Sequence, residues 1–312
     1  MKRLLFAVTL GTAAFAGPAQ AQLMFNPNQV AILRWYSANQ TASFSVGKGP
    51  LALAFDGANI WVTNQHSDNV TKLRTSDGSV LGTFAVGEPI ALAFDGANIW
   101  VTSVGSNNIT KLRASDGAVL GTFAAGSAPY GVGFDGDNIW VTNPIDDTVT
   151  KLQAGDGTVL GTSAVGTAPL AMAFDGANIW VANQRSNNVT KLRASDGSVL
   201  GTFAVGTSPS SIAFDGVNVW VANVGSSNVT KLRASDGTLL GTFPVGRAPW
   251  GIAFDGANIW ATSSGSNTVT KLRASDGALL GTFPAGSAPI GMAFDGANIW
   301  VTNFGGSSVS KL

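Results

Sequence analysis

Cysteine is absent from the chain, so no disulfide and no cysteine-linked lipid anchor can form. Histidine and glutamate occur once each, as His66 and Glu88. A catalytic site that needs several histidines or a group of glutamates therefore cannot be assembled from these residues. The formal net charge is +0 and only 12% of the 312 residues are charged. Since nucleic-acid binding needs a basic face to displace counterions from phosphates, no nucleic-acid partner is expected.

Long apolar runs are missing as well, apart from a short one at the N-terminus. Lys2 and Arg3 precede the apolar run from Leu4 to Phe15, and Ala19-Gln20-Ala21 then fits the rule for signal-peptidase cleavage. We predict a secretory signal peptide over residues 1–21, cleaved after Ala21, and a periplasmic or secreted protein that does not insert into a membrane after cleavage. The alternative is an uncleaved membrane anchor, for which the run is short.

What the sequence does contain is one motif seven times over. FDGANIWVTN, or a close variant of it, begins at Phe55, Phe94, Phe134, Phe174, Phe214, Phe254 and Phe294. The interval is 39 residues once and 40 residues five times. Self-similarity at a fixed period predicts one continuous repeat array in place of separate domains.

Each unit divides into four strand-like pieces. In the third unit these are Gly131–Phe134, Asn138–Thr142, Thr148–Leu152 and Val159–Val165. They are rich in β-branched and aromatic residues, and Asp-Gly turns join the first piece to the second and the third to the fourth. Four antiparallel strands in about 40 residues are typical of a blade of a β-propeller.

The two ends of the array indicate a closed ring. The seventh unit stops after its third strand, at Leu312, while SFSVG at residues 43–47 resembles an isolated fourth strand. We predict an all-β fold: a seven-bladed β-propeller of four-stranded antiparallel blades over residues 40–312, after a lead segment at 22–39. The N-terminal strand, near residues 40–46, completes the last blade and closes the ring. An open solenoid is the alternative, but it would need unusual capping units.

Three repeated residue types have structural explanations. The motif tryptophans (Trp61 and its six equivalents) are expected to pack between neighbouring blades. The aspartates of the Asp-Gly turns are expected to bond their own backbone, and not a metal ion. The lysine column that begins at Lys72 is interpreted as a solvated strand position.

The unit resembles the repeat of the YVTN β-propeller family, with WVTN in place of the tetrapeptide that names it. This resemblance covers residues 40–312 and implies a fold rather than a ligand. The Pro-x-Gly-Ile and Asp-Gly-x-x-Trp elements are also similar to those of the virginiamycin B lyase (streptogramin lyase) propellers. That second resemblance implies elimination of a cyclic ester, with a histidine base and acidic residues around Mg²⁺. With one histidine and one glutamate, the chain departs from that pattern.

The differences among the seven units indicate where a ligand could bind. The Asp-Gly turns share one rim of the propeller and hardly vary, whereas the loops of the opposite rim differ from blade to blade. We predict that this variable rim, at the mouth of the central channel, binds a small molecule, a peptide or a partner protein. The candidate ligand-binding residues are Leu51, Ile90, Tyr130, Leu170, Trp250, Ile290, Phe304, Arg185 and Arg247.

Our interpretation is a monomeric binding module that is not an enzyme and has no cofactor. The alternative is a metal-dependent lyase of the streptogramin-lyase type. For catalysis the sequence offers only the pair His66 and Glu88, which could meet on the variable rim and act as a general base. For a metal ion it offers only Asp146 and Asp147, fewer oxygen ligands than Ca²⁺ usually takes.

Overall fold

The computed structural model describes residues 42–312. The predicted signal peptide (1–21), the lead segment (22–39) and residues 40 and 41 lie outside the described residues. Within 42–312 the strands form seven four-stranded antiparallel sheets. The prediction of a seven-bladed β-propeller is thereby confirmed. No helix in this part of the chain is both long enough and apolar enough to span a membrane.

The strands of each blade follow one another from the channel outward. Blades one to three contain β2 (Pro50–Phe55), β3 (Asn59–Asn64), β4 (Asn69–Arg74), β5 (Val80–Ala85); β6 (Pro89–Phe94), β7 (Asn98–Ser103), β8 (Asn108–Arg113), β9 (Val119–Ala124); and β10 (Val132–Phe134), β11 (Asn138–Asn143), β12 (Thr148–Gln153), β13 (Val159–Ala164). Blades four to six contain β14 (Pro169–Phe174), β15 (Asn178–Asn183), β16 (Asn188–Arg193), β17 (Val199–Ala204); β18 (Pro209–Phe214), β19 (Asn218–Asn223), β20 (Asn228–Arg233), β21 (Leu239–Pro244); and β22 (Pro249–Phe254), β23 (Asn258–Ser263), β24 (Thr268–Arg273), β25 (Leu279–Pro284). Blade seven contains β26 (Pro289–Phe294), β27 (Ile299–Asn303), β28 (Ser308–Lys311) and β1 (Ala42–Ser45), and 3₁₀ turns cover Gln65–Ser67 and Phe304–Gly306.

Blade seven takes its outermost strand from the N-terminal side of the described chain. β1 pairs antiparallel with β28, with Ala42 opposite Lys311 and Ser45 opposite Ser308. The ring of Phe44 in β1 stacks on Trp300, with 5.5 Å between the ring centroids. Blade seven also contacts blade one directly, since Lys311 Nζ donates to the carbonyl oxygen of Thr75 at 2.8 Å.

A repeated hydrogen-bonded clasp holds the first Asp-Gly turn of every blade. In blade one, Asp56 Oδ1 accepts from the amides of Ala58 and Asn59 at 2.9 and 2.6 Å, as an aspartate in such a turn should. Its second oxygen accepts from Trp61 Nε1 at 2.8 Å. Burial on its own would raise the pKa of this carboxyl, but the hydrogen bonds from Trp61, Ala58 and Asn59 outweigh it and lower the pKa.

The lysine column is not solvated as we expected from the sequence. Lys72 is only 8% exposed, and its Nζ lies 5.0 Å from the centroid of the Trp61 ring. It donates at 2.6 Å to the carbonyl oxygen of Ala114, in the next blade. The sequence shows a polar strand position, but the neighbouring blade covers it. Six of the seven lysines join blades through a hydrogen bond to a carbonyl oxygen of the next blade, and each lysine also makes a cation–π contact with the tryptophan of its own blade.

The motif tryptophans pack between blades, as predicted. Trp61 is completely buried in a cluster that combines Val70 of its own blade with Ile99 and Leu112 of the next. It also stacks on Phe84 of the outermost strand, which packs against the same cluster, with 5.3 Å between the ring centroids. That phenylalanine lies against the second Asp-Gly turn of the next blade, where a Cβ on Gly117 would overlap its ring.

Candidate functional site

The loops of the variable rim are fastened to one another by a repeated set of hydrogen bonds. We call the loop between the second and third strands of a blade its hairpin loop, and the segment that leads into a blade its connecting loop. In blade four, the amides of Gln184 and Arg185 in the hairpin loop donate to Ala168 and Thr167 of the connecting loop at 2.9 and 3.1 Å. These bonds give the rim a fixed backbone on which side chains can be positioned.

The central channel opens at this rim into a cavity of about 170 Å³. Six of the seven residues that follow the loop prolines line it: Leu51, Ile90, Tyr130, Ser210, Trp250 and Ile290. Drug-sized ligands usually occupy about 300–1,000 Å³, so this cavity alone suits only a small fragment.

A larger cavity of about 420 Å³ lies beside the channel mouth, between blades three and four. Its apolar wall consists of Val104, Ala128, Tyr130, Pro144, Ile145, Ala168 and Leu170, and its polar groups belong to Asp147, Thr167, Gln184 and Arg185. Tyr130 lines both this cavity, which we call the side cavity, and the channel cavity. The side cavity therefore has the size and the mostly apolar lining of a small-molecule site.

The side cavity is bordered by a proline that removes a hydrogen bond found in the other blades. In each of the other six blades the first amide of the hairpin loop donates to a carbonyl oxygen of the connecting loop; the donors are Gln65, Val104, Gln184, Val224, Ser264 and Phe304. Blade three has Pro144 at this position, and proline has no amide hydrogen. The carbonyl oxygen of Ala128 consequently receives no bond from this loop within residues 42–312. The two loops remain joined through Asp146, which accepts from the amide of Ser127, and both Pro144 and Ala128 line the cavity.

Tyr130 is held at the junction of the two cavities by its backbone. Its amide donates to the carbonyl oxygen of Thr142 at 2.9 Å, and the first strand of this blade begins only at Val132. Burial raises the pKa of the Tyr130 phenol, so the hydroxyl stays protonated at neutral pH. It can therefore donate a hydrogen bond to a ligand in either cavity.

Two opposite charges border the side cavity without pairing. The Arg185 side chain is exposed and makes no ion pair and no hydrogen bond within the described range 42–312. Asp147 accepts from the amide of Ala168 through Oδ1 at 2.8 Å, which leaves Oδ2 without a partner in that range. Each charge is attached to a backbone that hydrogen bonds hold in place.

The remaining ligand-binding candidates lie elsewhere on the rim. Phe304 contacts His66 edge to face, with 5.2 Å between ring centroids, at the junction of blades seven and one. Arg247 is exposed in the connecting loop of blade six, and its backbone lies against Gly265. Neither of these two candidates lines the side cavity or the channel cavity.

His66 and Glu88 have different neighbours. The imidazole of His66 lies against Phe304 and Gly49, whereas the Glu88 carboxylate lies against Gly105 of blade two. No ion pair joins them in the part of the chain that the structure describes. Their hydrogen-bond geometry thus gives no support to a general base formed by this pair.

Asp146 and Asp147 each fasten a loop. Asp146 accepts from the amide of Ser127 at 2.7 Å, a position that Ser186 and Ser226 occupy in blades four and five. Asp147 has the backbone conformation and the bond that its equivalent, Asn187, has in blade four. Within residues 42–312 no group of three or more His, Cys, Asp or Glu side chains could hold a metal ion. The residues present do not fit the acidic Mg²⁺ site that the lyase resemblance implies.

The uniform rim also has a cavity between blades three and four, of about 580 Å³. Its charged side chains are already used by the scaffold. Asp135 accepts from Trp140, Lys151 donates to the carbonyl oxygen of Ala194, and Arg193 pairs with its own turn. Only the exposed Asp137 has no such role, so this cavity offers a ligand few free polar groups.

Sequence reasoning missed the part that Pro144 and Ala128 play. Proline occurs in the hairpin loop of only one of the seven units, and that difference was available as a signal. Its meaning depends on the hydrogen bond that the other blades form between two loops distant in sequence. That bond becomes visible only in the structure.

The sequence matches no model of a protein family and no curated protein. Solved structures resemble the fold. A structure described as streptogramin B lyase has a TM-score of 0.74 and 19% identity, covering 87% of this chain and 96% of that one. The virginiamycin B lyase from Staphylococcus aureus has a TM-score of 0.74 and 19% identity, and the match covers 87% of this chain and 98% of that one. The Kuenenia stuttgartiensis hydrazine synthase has a TM-score of 0.76 and 18% identity, and the match covers 85% of this chain and 95% of that one. At such low identity these likenesses show that the chain shares their propeller fold.

Proposed function

We propose that the chain is an exported, non-catalytic binding module whose ligand occupies the variable rim, at the side cavity and the adjoining channel mouth. The observation that carries this proposal is the side cavity itself. It has a largely apolar wall, a volume of about 420 Å³ and polar groups at its border. Export rests on the signal-peptide pattern of residues 1–21.

The blade scaffold supports a binding role over a catalytic one. The loops that border the cavity are fastened by hydrogen bonds, and no histidine, cysteine, serine or lysine lines it. Asp147, which does line it, is held by the amide of Ala168. A preformed apolar site of this kind binds through shape and burial of apolar surface.

A fragment screen tests this proposal. The mature chain is screened against small apolar compounds by thermal shift, and the dissociation constants of the hits are measured for Tyr130→Ala and Trp250→Ala. We expect at least one hit whose affinity falls about tenfold or more in Tyr130→Ala, as for an aromatic anchor in a pocket. Asp137→Ala, on the uniform rim, is the control, because the first, second and fourth units already have alanine there. A screen in which no hit depends on Tyr130 or Trp250 would contradict the placement.

The likeness of the fold to two lyases keeps one enzymatic alternative in view, a metal-dependent lyase acting on a cyclic ester. The residues needed for that chemistry are not gathered in the described part of this chain. The direct assay follows the loss of a cyclic ester antibiotic with Mg²⁺ and with EDTA. Turnover that needs the metal and disappears in His66→Ala would establish the lyase and overturn the binding proposal.

A further inference from the structure

We infer that the ligand of the side cavity is a small zwitterion with an apolar side chain, of the class of hydrophobic α-amino acids. This inference rests on the proposed function, since it specifies the chemistry of the molecule that occupies the same cavity. It follows from the arrangement of charge and of unpaired hydrogen-bonding groups around an apolar wall.

The two opposite charges at the side cavity favour a ligand that carries both charges. Arg185 and Asp147 both line the side cavity, yet no ion pair joins them within residues 42–312. A ligand with only a carboxylate would satisfy the arginine and be repelled by the aspartate, and an amine would do the reverse. A molecule that carries both charges a few ångströms apart complements both groups together.

The second argument concerns the carbonyl oxygen of Ala128. Pro144 deprives this oxygen of the donor that its counterparts have in the other six blades, and an acceptor without a donor favours a ligand that supplies one. An ammonium group carries three donors. The carbonyl oxygen of Ala128 and the free Oδ2 of Asp147 provide acceptors for it on the border of one cavity.

The wall and the volume of the side cavity favour a ligand with an apolar side chain. Val104, Ile145 and Leu170 line the cavity, and Ile145 remains 73% exposed. An apolar side chain that covers Ile145 removes its surface from water, which contributes roughly 25 cal/mol per Å². Bound phosphates would need more cationic groups than the one arginine that lines this cavity.

The test uses three probes that share a benzene ring. L-phenylalanine carries both charges, 3-phenylpropionate lacks the ammonium group, and phenethylamine lacks the carboxylate. The chain has two tyrosines, Tyr36 and Tyr130. In a Tyr36→Phe background labelled with 3-fluorotyrosine, the fluorine signal therefore reports on Tyr130 alone and yields a dissociation constant for each probe.

We expect L-phenylalanine to bind about twofold to fivefold more tightly than either singly charged probe, the range for exposed charge pairs. Arg185→Gln should abolish its advantage over phenethylamine. Asp147→Asn should abolish its advantage over 3-phenylpropionate, and it keeps the loop in place because asparagine is the residue that blade four has there. Arg247→Gln removes an equal charge from the same rim outside the cavity and should change neither ratio.

Pro144→Gln adds an independent check. It restores the amide that blade four has at Gln184, and this amide should bond the carbonyl oxygen of Ala128. We expect the variant to fold and to bind L-phenylalanine and phenethylamine about threefold or more weakly, with less effect on 3-phenylpropionate.

Three results would overturn the inference: equal affinity for all three probes, absence of binding for all of them, or an equal effect of Arg247→Gln and Arg185→Gln. Equal affinities for the three probes, together with a fragment hit that Tyr130→Ala weakens in the thermal-shift screen, would leave the proposed function standing and remove only the zwitterion. Failure of the fragment screen, by contrast, would remove the proposed function itself.

Discussion

The contact between a tryptophan and an outer-strand phenylalanine is the part of the scaffold whose contribution can be measured best, because one blade lacks it. In blade four, Phe203 stacks on Trp180 with 5.5 Å between the ring centroids and lies against Gly237 of the next blade. Blade three has Ser163 at the equivalent position, where its hydroxyl donates to the carbonyl oxygen of Gly197 at 2.8 Å. The same substitution can therefore be made in opposite directions in two adjacent blades.

Phe203→Ser should lower the free energy of unfolding by about 2 kcal/mol. Removing a fully buried phenylalanine side chain costs about 3–5 kcal/mol, and roughly half applies here because the ring is half-buried. The lost ring pair adds about 1 kcal/mol, and a serine–carbonyl hydrogen bond like that of Ser163 restores about as much. Ser163→Phe should raise the free energy of unfolding by about 2 kcal/mol, since it gains the burial of the ring and its contact with Trp140 and loses the hydrogen bond.

Urea denaturation followed by tryptophan fluorescence measures both changes, with the linear extrapolation applied at equal slopes. Leu240→Ser is the control: this outer-strand leucine is 40% exposed, so its loss should matter less. A Ser163→Phe variant that is clearly less stable than the wild type would refute the reasoning, because it would mean that blade three has no room for the ring.

Three further predictions concern the clasp, the lysine column and the hairpin loop. First, burial would raise the pKa of the seven clasp carboxyls, but the hydrogen bonds from the tryptophan, asparagine and backbone amides together lower it below the usual 3.8. Their stabilisation is therefore complete above about pH 5 and is lost as the pH falls below 3.8. Urea midpoints measured from about pH 7 to 2 should show this loss, and a flat profile would contradict it. Second, Lys191→Met should lower the free energy of unfolding by about 2 kcal/mol, because it leaves the buried carbonyl oxygen of Ala234 unpaired. Lys48 is exposed, so Lys48→Met should have little effect on this free energy. Equal effects of the two substitutions would argue against the inter-blade role of Lys191. Third, Asp147→Asn should leave the melting temperature unchanged with or without Mg²⁺. Asp147→Ala should lower the free energy of unfolding by about 1 kcal/mol, because it removes the bond to the amide of Ala168. A melting temperature that Mg²⁺ raises only in the wild type would support a metal site at Asp147.

The repeat made the fold predictable, because seven copies of one pattern test each strand and turn assignment seven times. The predicted strand Thr148–Leu152 differs from the observed β12 by one residue at its end. Burial of the lysines could not be predicted, since a polar residue that alternates with apolar ones has the same pattern whether water or a neighbouring blade covers it. That distinction required the position of the carbonyl oxygen of Ala114 relative to Lys72.

The candidate site was predictable only in part. Comparison of the units identified the rim and named Tyr130, Leu170 and Arg185, and the side cavity brings these three together. The sequence also favoured a ring of apolar residues around the channel, where the cavity is too small for most ligands. The larger space lies to one side, where Pro144 leaves the carbonyl oxygen of Ala128 without the hydrogen bond that the other blades form. A bond between residues 128 and 144 is one that no local pattern reveals.

Blade three differs from the other blades and still keeps its clasp and its lysine contact to the next blade, so a site can be located there. It retains the clasp, with Trp140 Nε1 at 2.7 Å from Asp135 Oδ2, and the bond from Lys151 to the carbonyl oxygen of Ala194 at 2.7 Å. Besides Ser163 in the outermost strand, its departures that border the side cavity are in the hairpin and connecting loops. The bond that Pro144 removes is therefore lost while the clasp and the lysine contact to the next blade remain, and the side cavity lies beside it. A repeat scaffold in which stability resides between blades and individuality resides in loops can gain a binding site one blade at a time.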